Sequence, residues 1–595
     1  MRFSVVMSRL SFALALALPL AACKPGQTAA PPHAGGIAGM QGNGERSPFE
    51  GKPATIEGVV TLAWSDDNGG GFVQSLTADA DADTSEGVFV IPAGGVPPLE
   101  VGQHIRADGL VGESGEGAML TTLANAQITV LGSVPLPEPQ LLSAMPSNAA
   151  AWEALEGMRV RLAVPLTVSG NDNLGRFGEV TLAAGPRLFT PTEQVAPGDA
   201  AKARREENAA RRLVLDDGAP NENPSSVAWL PEPVSNAAPL RAGTTVSGVV
   251  GVVDHRFGGY RLHATQAVEA VVQAERPAPP QVQGNVRIAG MNLLNLFNGD
   301  GRGGGFPTDR GAKTAEAYQR QLAKHVATIT ALDPHVIAAQ EVENDGFGAE
   351  SAIRALAKAL NNAQPGARWQ PVVTREAPGT DSISVALLYR ADVLTTVGAP
   401  ALLTNGPFAY GSRPPLAQTF RLGAGPLFTA VSVHFKSKGG CPEAEGKNRD
   451  QGDGQACFNA QRLESNRALA DWLATDPTRS GSPLTVVLGD FNAYAMEDPM
   501  RLMRERGWRD PLSGEASYSF VFDAQAGRLD HAMLSPQMSA LLKGAAKWHS
   551  NSDEALVFAY DGAQGQAVQA TPWRSSDHDP MLLGFDLGKA PEAAR

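Results

Sequence analysis

The chain has 595 residues, 43% of them hydrophobic, and a formal net charge of −13 at pH 7. That length exceeds one domain at ~100–200 residues per domain, and the apolar content excludes a disordered chain. The negative balance argues against a protein that coats nucleic acid nonspecifically, but the excess is uneven. From residue 283 onward about 30 basic residues face about 33 acidic ones, so most of it lies earlier.

The first 23 residues, MRFSVVMSRLSFALALALPLAAC, set Arg2 and Arg9 ahead of an apolar core too short for a stable span. This is the pattern of a secretion signal. Leu20-Ala21-Ala22-Cys23 resembles the lipobox of bacterial lipoproteins. The resemblance implies lipidation of Cys23 and a cell-envelope location, periplasmic or surface-exposed. Lys24 after the Cys implies the outer membrane rather than the inner. Residues 24–48, rich in Gly, Pro and Ala, read as a tether.

Residues 49–135 hold five strand-like runs separated by Gly- and Asp-rich turns, a pattern that resembles the OB-fold barrel. Its acidic stretch DADADTSEG lacks the Gly and Glu spacing of an EF-hand and reads as a solvated hairpin tip. A second β-rich region, 150–273, reads as an irregular barrel with a helical insertion at AAKARREENAARR. The Pro-rich stretch 274–284 reads as a linker. Beyond it, 285–588 alternates strands with helices expected at 314–332, 350–362 and 459–474, which means layered α/β packing. Two thiols remain after Cys23. Cys441 and Cys457 share one irregular loop without a His or third Cys, so a disulfide is expected rather than a metal site.

Polar groups stand at the ends of apolar strands throughout this last region. VVLGDFNAY closes on Asp490 and Asn492, which project to one side while Phe491 turns back. Asn292 interrupts RIAGMNLLNLF, Gln340-Glu341 end HVIAAQEV, and His434 and Lys436 share a side of VSVHFKSKGG. Asp530 lies in RLDHAML, and Asp577-His578 precede the final strand. Unpaired buried charge is costly, so six such groups in one domain imply a site on one edge of a sheet sandwich. GDFNA is the most specific of these signals; QE and Asp-His are weak alone.

The ordered set Asn…Gln-Glu…His…Gly-Asp-x-Asn…Asp…Ser-Asp-His resembles the endonuclease/exonuclease/phosphatase superfamily, of which deoxyribonuclease I is a familiar member. NLGRFGEVTLAAGPRLFTPTE, MNLLNLFNGDG, GTDSISVALLYR and HFKSKGG…C…DQGDGQACFNAQR are similar to bacterial secreted nucleases with an N-terminal OB-like domain. The resemblance implies a four-layer α/β sandwich and a divalent ion, Mg²⁺ with Mn²⁺ or Ca²⁺ as alternatives. It implies that Asn292, Glu341 and Asp577 hold the metal, and that Asp490 aims a water that Asn492 helps to hold. His578, oriented by Asp530, would clamp the phosphate, and His434 would donate a proton to the leaving group. Asp381 is the expected partner of His434, and Arg413 and Lys436 would bind phosphate. The remaining histidines are expected to be structural or solvated, and His531, on the opposite side of its strand, to take no catalytic part.

The implied activity is hydrolysis of phosphodiesters in DNA, with RNA a further substrate, by a monomer. A phosphomonoesterase or phospholipid phosphodiesterase is the first alternative. A non-catalytic, polymer-binding surface lipoprotein is the second, and it predicts a missing site group where none is missing.

Overall fold

The computed structural model describes residues 35–588 apart from 65–68, 115–119, 220, 257, 377, 515–516 and 563–569. The signal sequence and Cys23 lie outside the described residues, as does the first part of the expected tether. The chain divides into two compact units, the first ending at Pro137.

In the first unit, the strands Pro53–Ala63, Gly71–Gln74, Gly87–Pro92, Gln103–Ser114 and Leu120–Ser133 close into a barrel. Numbered along the chain, their order around the barrel is 1-2-3-5-4. Only the third and fifth strands pair in parallel. Ile56, Val73, Val90, Ile105 and Leu123 fill the interior. Gly58 has no room for a side chain, since a Cβ there would lie 2.6 Å from the Gln74 carbonyl oxygen. The expected tether does not run to residue 48. Gly36–Gln41 form a short helix whose Ile37 and Met40 are fully buried in the barrel core, because this GIAGM segment is apolar enough to plug it. The acidic stretch is the solvated tip expected: Asp79 and Asp81 each accept a hydrogen bond from the backbone N–H two residues on.

The second unit begins at Glu138. Its first part is a nine-stranded sheet rather than the irregular barrel expected, with the helix Asp199–Arg211 inserted where the sequence predicts one. The rest is built on two sheets. The six-stranded sheet runs Trp369–Pro371, Ile383–Arg390, Val336–Glu343, Val286–Leu296, Met581–Phe585, Leu542–Lys547. The five-stranded sheet runs Leu394–Leu402, Arg413–Leu422, Leu427–His434, Thr485–Asp490, Asp530–Leu534.

Ile288, Val336 and Leu387 of the first sheet share a core with Leu416, Phe428 and Leu488 of the second. The outer face of the six-stranded sheet is covered by Ala315–Leu332 and Ala352–Ala363, through Ile329 and Leu356. Asn459–Leu473 and Asp498–Glu505 cover the other, through Leu469 and Met500. Strands buried on both faces must be apolar at nearly every position, which is why VIAA and TVVL read as unbroken runs. The first helix starts where the Thr314 side chain accepts from the Ala317 N–H, and stops at Asp333, which adopts φ 46°.

The Pro-rich stretch leaves no gap between the β-rich region and the sheets. Trp548 Nε1 donates to the Pro277 carbonyl (2.8 Å) and Arg276 pairs with Glu554 (2.6 Å). The strand Leu188–Phe189 of the β-rich region joins the hairpin Phe520–Phe522/Gln525–Gly527 as the third strand of a small sheet. No described helix is long and apolar enough to cross a membrane.

Candidate active site

Four of the expected groups stand in one row across four neighbouring strands. Arg413 is the register partner of His434, His434 of Asp490, and Asp490 of Asp530. The apolar part of each strand secures the sheet, and the register brings each polar residue to the same rung. His434 Nε2 lies 3.5 Å from Asp490 Oδ2 and 4.0 Å from Glu341 Oε1, so it bridges to the other sheet. His578, in the turn before Met581–Phe585, completes the link: its Nδ1 is 2.7 Å from Asp530 Oδ2. Ligand atoms of Asp490, Asp530 and His578 all lie within 4.8 Å of one another.

Glu341 owes its position to an irregularity in the neighbouring strand. Asn292 pairs with Gln340, then the register slips before Leu296 pairs with Val342. Leu294 and Asn295 take φ of 49° and 53° there. This turns the Asn295 N–H onto Glu341 Oε2 (3.0 Å) and the Leu294 N–H onto Asn292 Oδ1 (2.9 Å). Glu341 itself has φ 60° and Asn492 φ 49°, a region that side-chain-bearing residues seldom occupy. The Asn492 N–H donates to Asp490 Oδ1 (2.8 Å) and its Nδ2 to the Phe435 carbonyl (3.2 Å).

Burial and neighbouring charge set the protonation of the centre. Asp490 is pushed up to about 7, first by burial, with Asp530 and Glu341 adding to it and His578 opposing. For His578 burial favours the neutral ring, but Asp530, Asp577 and Asp490 outweigh it and hold the imidazole well above its ordinary value. His434 goes the other way, held well below by burial and by Arg413 and His578. Two buried histidines in one site are thus driven to opposite charge states. Burial and the neighbouring cations disfavour the protonated ring that the expected proton-donor role of His434 requires.

Two further expectations need correction. Asp381 does not partner His434; it accepts from Arg413 Nη1 (3.1 Å) and lies 3.6 Å from Arg310. Arg413 is buried and its Nη2 donates to the Phe435 carbonyl, so its guanidinium is largely committed beneath the site. Lys436 is half-buried, its Nζ 4.5 Å from the Phe458 ring centre. Asp577 is half-exposed and accepts from Ser576 Oγ (3.3 Å). Cys441 and Cys457 are joined in a disulfide. His531 Nε2 donates to the Ala493 carbonyl (2.8 Å), and the ring packs on Phe491, away from the rung.

The sequence reading missed Ser519 and Phe520. Ser519 Oγ donates to Asp530 Oδ2 (2.6 Å), and the Phe520 ring lies 4.6 Å from that of His578. Their run, SYSFVF, looks like any short strand; only its place just ahead of RLDHAML hints at a role.

Asn292 and Glu341 offer the hard oxygens that a divalent ion prefers. The residues fit such an ion. The fit rests on the Glu341 carboxylate with the Asn292 oxygen; the Asn292 Nδ2, a buried donor without a hydrogen-bond partner among the described residues, suits a water or phosphate oxygen beside such an ion and not the ion itself. Asp530 and His578, by contrast, already satisfy each other, so they read as a hydrogen-bonded pair and not as ligands.

Residues 294–578 match the Endonuclease/Exonuclease/phosphatase family. This region belongs to that superfamily. Residues 141–274 match a domain of unknown function, DUF8508. No curated protein matches the chain. Among solved structures, a Bacteroides vulgatus endonuclease/exonuclease/phosphatase is 18% identical, covering 51% of this chain and 99% of its own (TM-score 0.33). The human Nocturnin catalytic domain is 15% identical over 51% of this chain and 94% of its own (TM-score 0.32). A mannosyl-6-phosphatase of Bacteroides thetaiotaomicron VPI-5482 is 17% identical over 51% and 99% (TM-score 0.31). The superfamily domain is a hydrolase domain.

Proposed function

We propose that the protein is a divalent-metal-dependent phosphodiesterase that cuts nucleic acid. The single observation that carries this is the rung Arg413–His434–Asp490–Asp530, closed by Glu341 and His578 from the facing sheet. Phosphodiester hydrolysis needs charge neutralisation, an aimed water and support for the developing charge. Asp490, buried and near neutral in affinity for a proton, takes the proton of the attacking water. Asn492, fixed by its bonds to Asp490 and Phe435, steadies that water or a phosphate oxygen. His578, kept as imidazolium by Asp530, binds a non-bridging phosphate oxygen. Neutral His434 donates a hydrogen bond among the carboxylates. Asn292, Glu341 and Asp577 hold the divalent ion, which when bound acts as a Lewis acid on the phosphate.

Exposed aromatics favour nucleic acid over a phosphomonoester or a phospholipid. Tyr410 (86% exposed) and Phe522 (66%) are the only aromatics among the strongly exposed large apolar side chains of the described residues. Tyr410 is three residues ahead of Arg413, and Phe522 two beyond Phe520, which touches His578. Exposed rings suit unstacked bases. We read the 1-2-3-5-4 barrel as OB-like, the two covered sheets as a four-layer sandwich, and Cys23 as a lipid anchor in the cell envelope.

The test is hydrolysis by the protein lacking residues 1–23, with Mg²⁺ or EDTA, of plasmid, single-stranded DNA, RNA, a phosphomonoester and a phospholipid. Metal-dependent cutting of nucleic acid is expected. Turnover of only the monoester or the phospholipid would overturn the nuclease reading. Nucleic-acid binding with no hydrolysis of any substrate would make it a binding lipoprotein.

A further inference from the structure

We propose that the 141–274 domain is a working part of the catalytic site, and that Arg187 is a positioning residue acting through the Tyr518–Phe520 segment on the Asp530–His578 pair. This rests on the hydrolase reading above. Arg187 directly precedes the strand Leu188–Phe189 that extends the Phe520–Phe522 hairpin. Its side chain is only 11% exposed. Nη1 lies 2.7 Å from Asp553 Oδ1, and the guanidinium carbon sits 4.3 Å from the Tyr518 ring centre. The Tyr518 hydroxyl donates to the other oxygen of Asp553 (2.6 Å), so Arg187 and Asp553 grip the phenol at its face and its tip. The same ring stacks on His549 at 3.9 Å and 8°, and His549 Nδ1 is 2.8 Å from Asp579 Oδ2.

Tyr518 thereby fixes the two residues that follow it. Ser519 Oγ and His578 Nδ1 meet on one atom, Asp530 Oδ2, at 2.6 and 2.7 Å. Phe520 leans on the His578 ring. The Ser519 carbonyl also accepts from the Asp579 N–H (2.7 Å), which ties the segment to the chain just after His578. Arg187 touches none of the reacting groups. It holds the strand that aims them, and a misplacement of ~1 Å at such a distance can cost about 100-fold in rate.

The experiment compares Arg187→Ala, Arg187→Lys, Ser519→Ala and the Arg187→Ala/Ser519→Ala double variant, with kcat and KM on one phosphodiester. We expect Arg187→Ala to lower kcat about 10–100-fold with KM within about threefold. Lysine keeps the charge beside Asp553 and restores at least about a third of the lost activity. Because both residues act on one carboxylate, the double variant falls no more than about twofold below Ser519→Ala. A kcat within twofold of wild type, a loss that lysine does not relieve, or losses that multiply would each overturn the proposal. Should Arg187→Ala not fold, Arg187→Lys and its double with Ser519→Ala carry the same comparison. If the wild-type protein hydrolyses no phosphoester, the functional reading fails by itself, and proton NMR decides this one. The low-field Nδ1 proton of His578, bonded to Asp530, broadens or moves upfield in Arg187→Ala if the positioning is real. An unchanged resonance refutes it.

Discussion

Asp490→Asn separates the chemistry of the site from its cost to the fold. The substitution keeps the shape of the side chain and, through Oδ1, the bond from the Asn492 N–H. It removes the proton acceptor, which at ~2.7–4 kcal/mol for a key transition-state group predicts a kcat loss of about 100–1,000-fold. The same carboxylate is buried among Asp530 and Glu341, and its affinity for a proton is pushed up to about 7. In the unfolded chain it ionises near 4. The folded state therefore binds the extra proton, and stability falls as pH rises from about 4 to about 7. Asn removes that penalty, so the metal-free variant should be more stable than wild type at pH 8, by roughly 2–4 kcal/mol, and no more stable at pH 4. Steady-state hydrolysis and urea unfolding in EDTA at both pH values measure the two effects. Activity above a third of wild type, or a loss of stability at pH 8, would refute the assignment of Asp490 as a crowded base.

Glu341→Gln preserves volume but removes the carboxylate charge; we expect about a 100-fold loss of activity and a higher Mg²⁺ requirement, read from a metal titration of rate. Phe522→Ala and Tyr410→Ala should each raise KM for single-stranded DNA about 5–100-fold, following ~1–3 kcal/mol per stacked base, while leaving a small diester unaffected. His325 is buried in its helix and held near 4, first by burial, with its Nε2 at the Leu293 carbonyl (3.1 Å). It contributes stability above pH 6.5 that is lost as pH falls to about 4, up to about 3 kcal/mol. His325→Leu should flatten that part of the stability–pH curve, whatever it costs at neutral pH. Cys23→Ser should release the protein from membranes on cell fractionation.

The strand-end groups were legible because an apolar run closing on a charge is hard to explain otherwise, and parallel and antiparallel registers then bring those ends together. What the sequence could not carry was partner choice. Asp381 and His434 are both near Arg413 in the fold, but only the side-chain directions show that the carboxylate belongs to the guanidiniums. The plug of the barrel was hidden because GIAGM, like a tether, is rich in Gly and Ala. Arg187 and Tyr518 are separated by over three hundred residues and carry no motif, so their contact exists only in three dimensions. The opposite charge states of His434 and His578 likewise depend on which carboxylates surround each ring, which strand patterns do not reveal.

The backbone at Glu341 and Asn492 sits in left-handed geometry that glycine would adopt without strain. Each such position costs of order 1 kcal/mol or more. Glycine at either point would relax that strain but strand a buried partner, the Asn295 N–H at Glu341 and the Phe435 carbonyl at Asn492, at about 1–3 kcal/mol each. The two kinks are thus held by the bonds of the very side chains they display, and drift toward glycine gains nothing in foldedness.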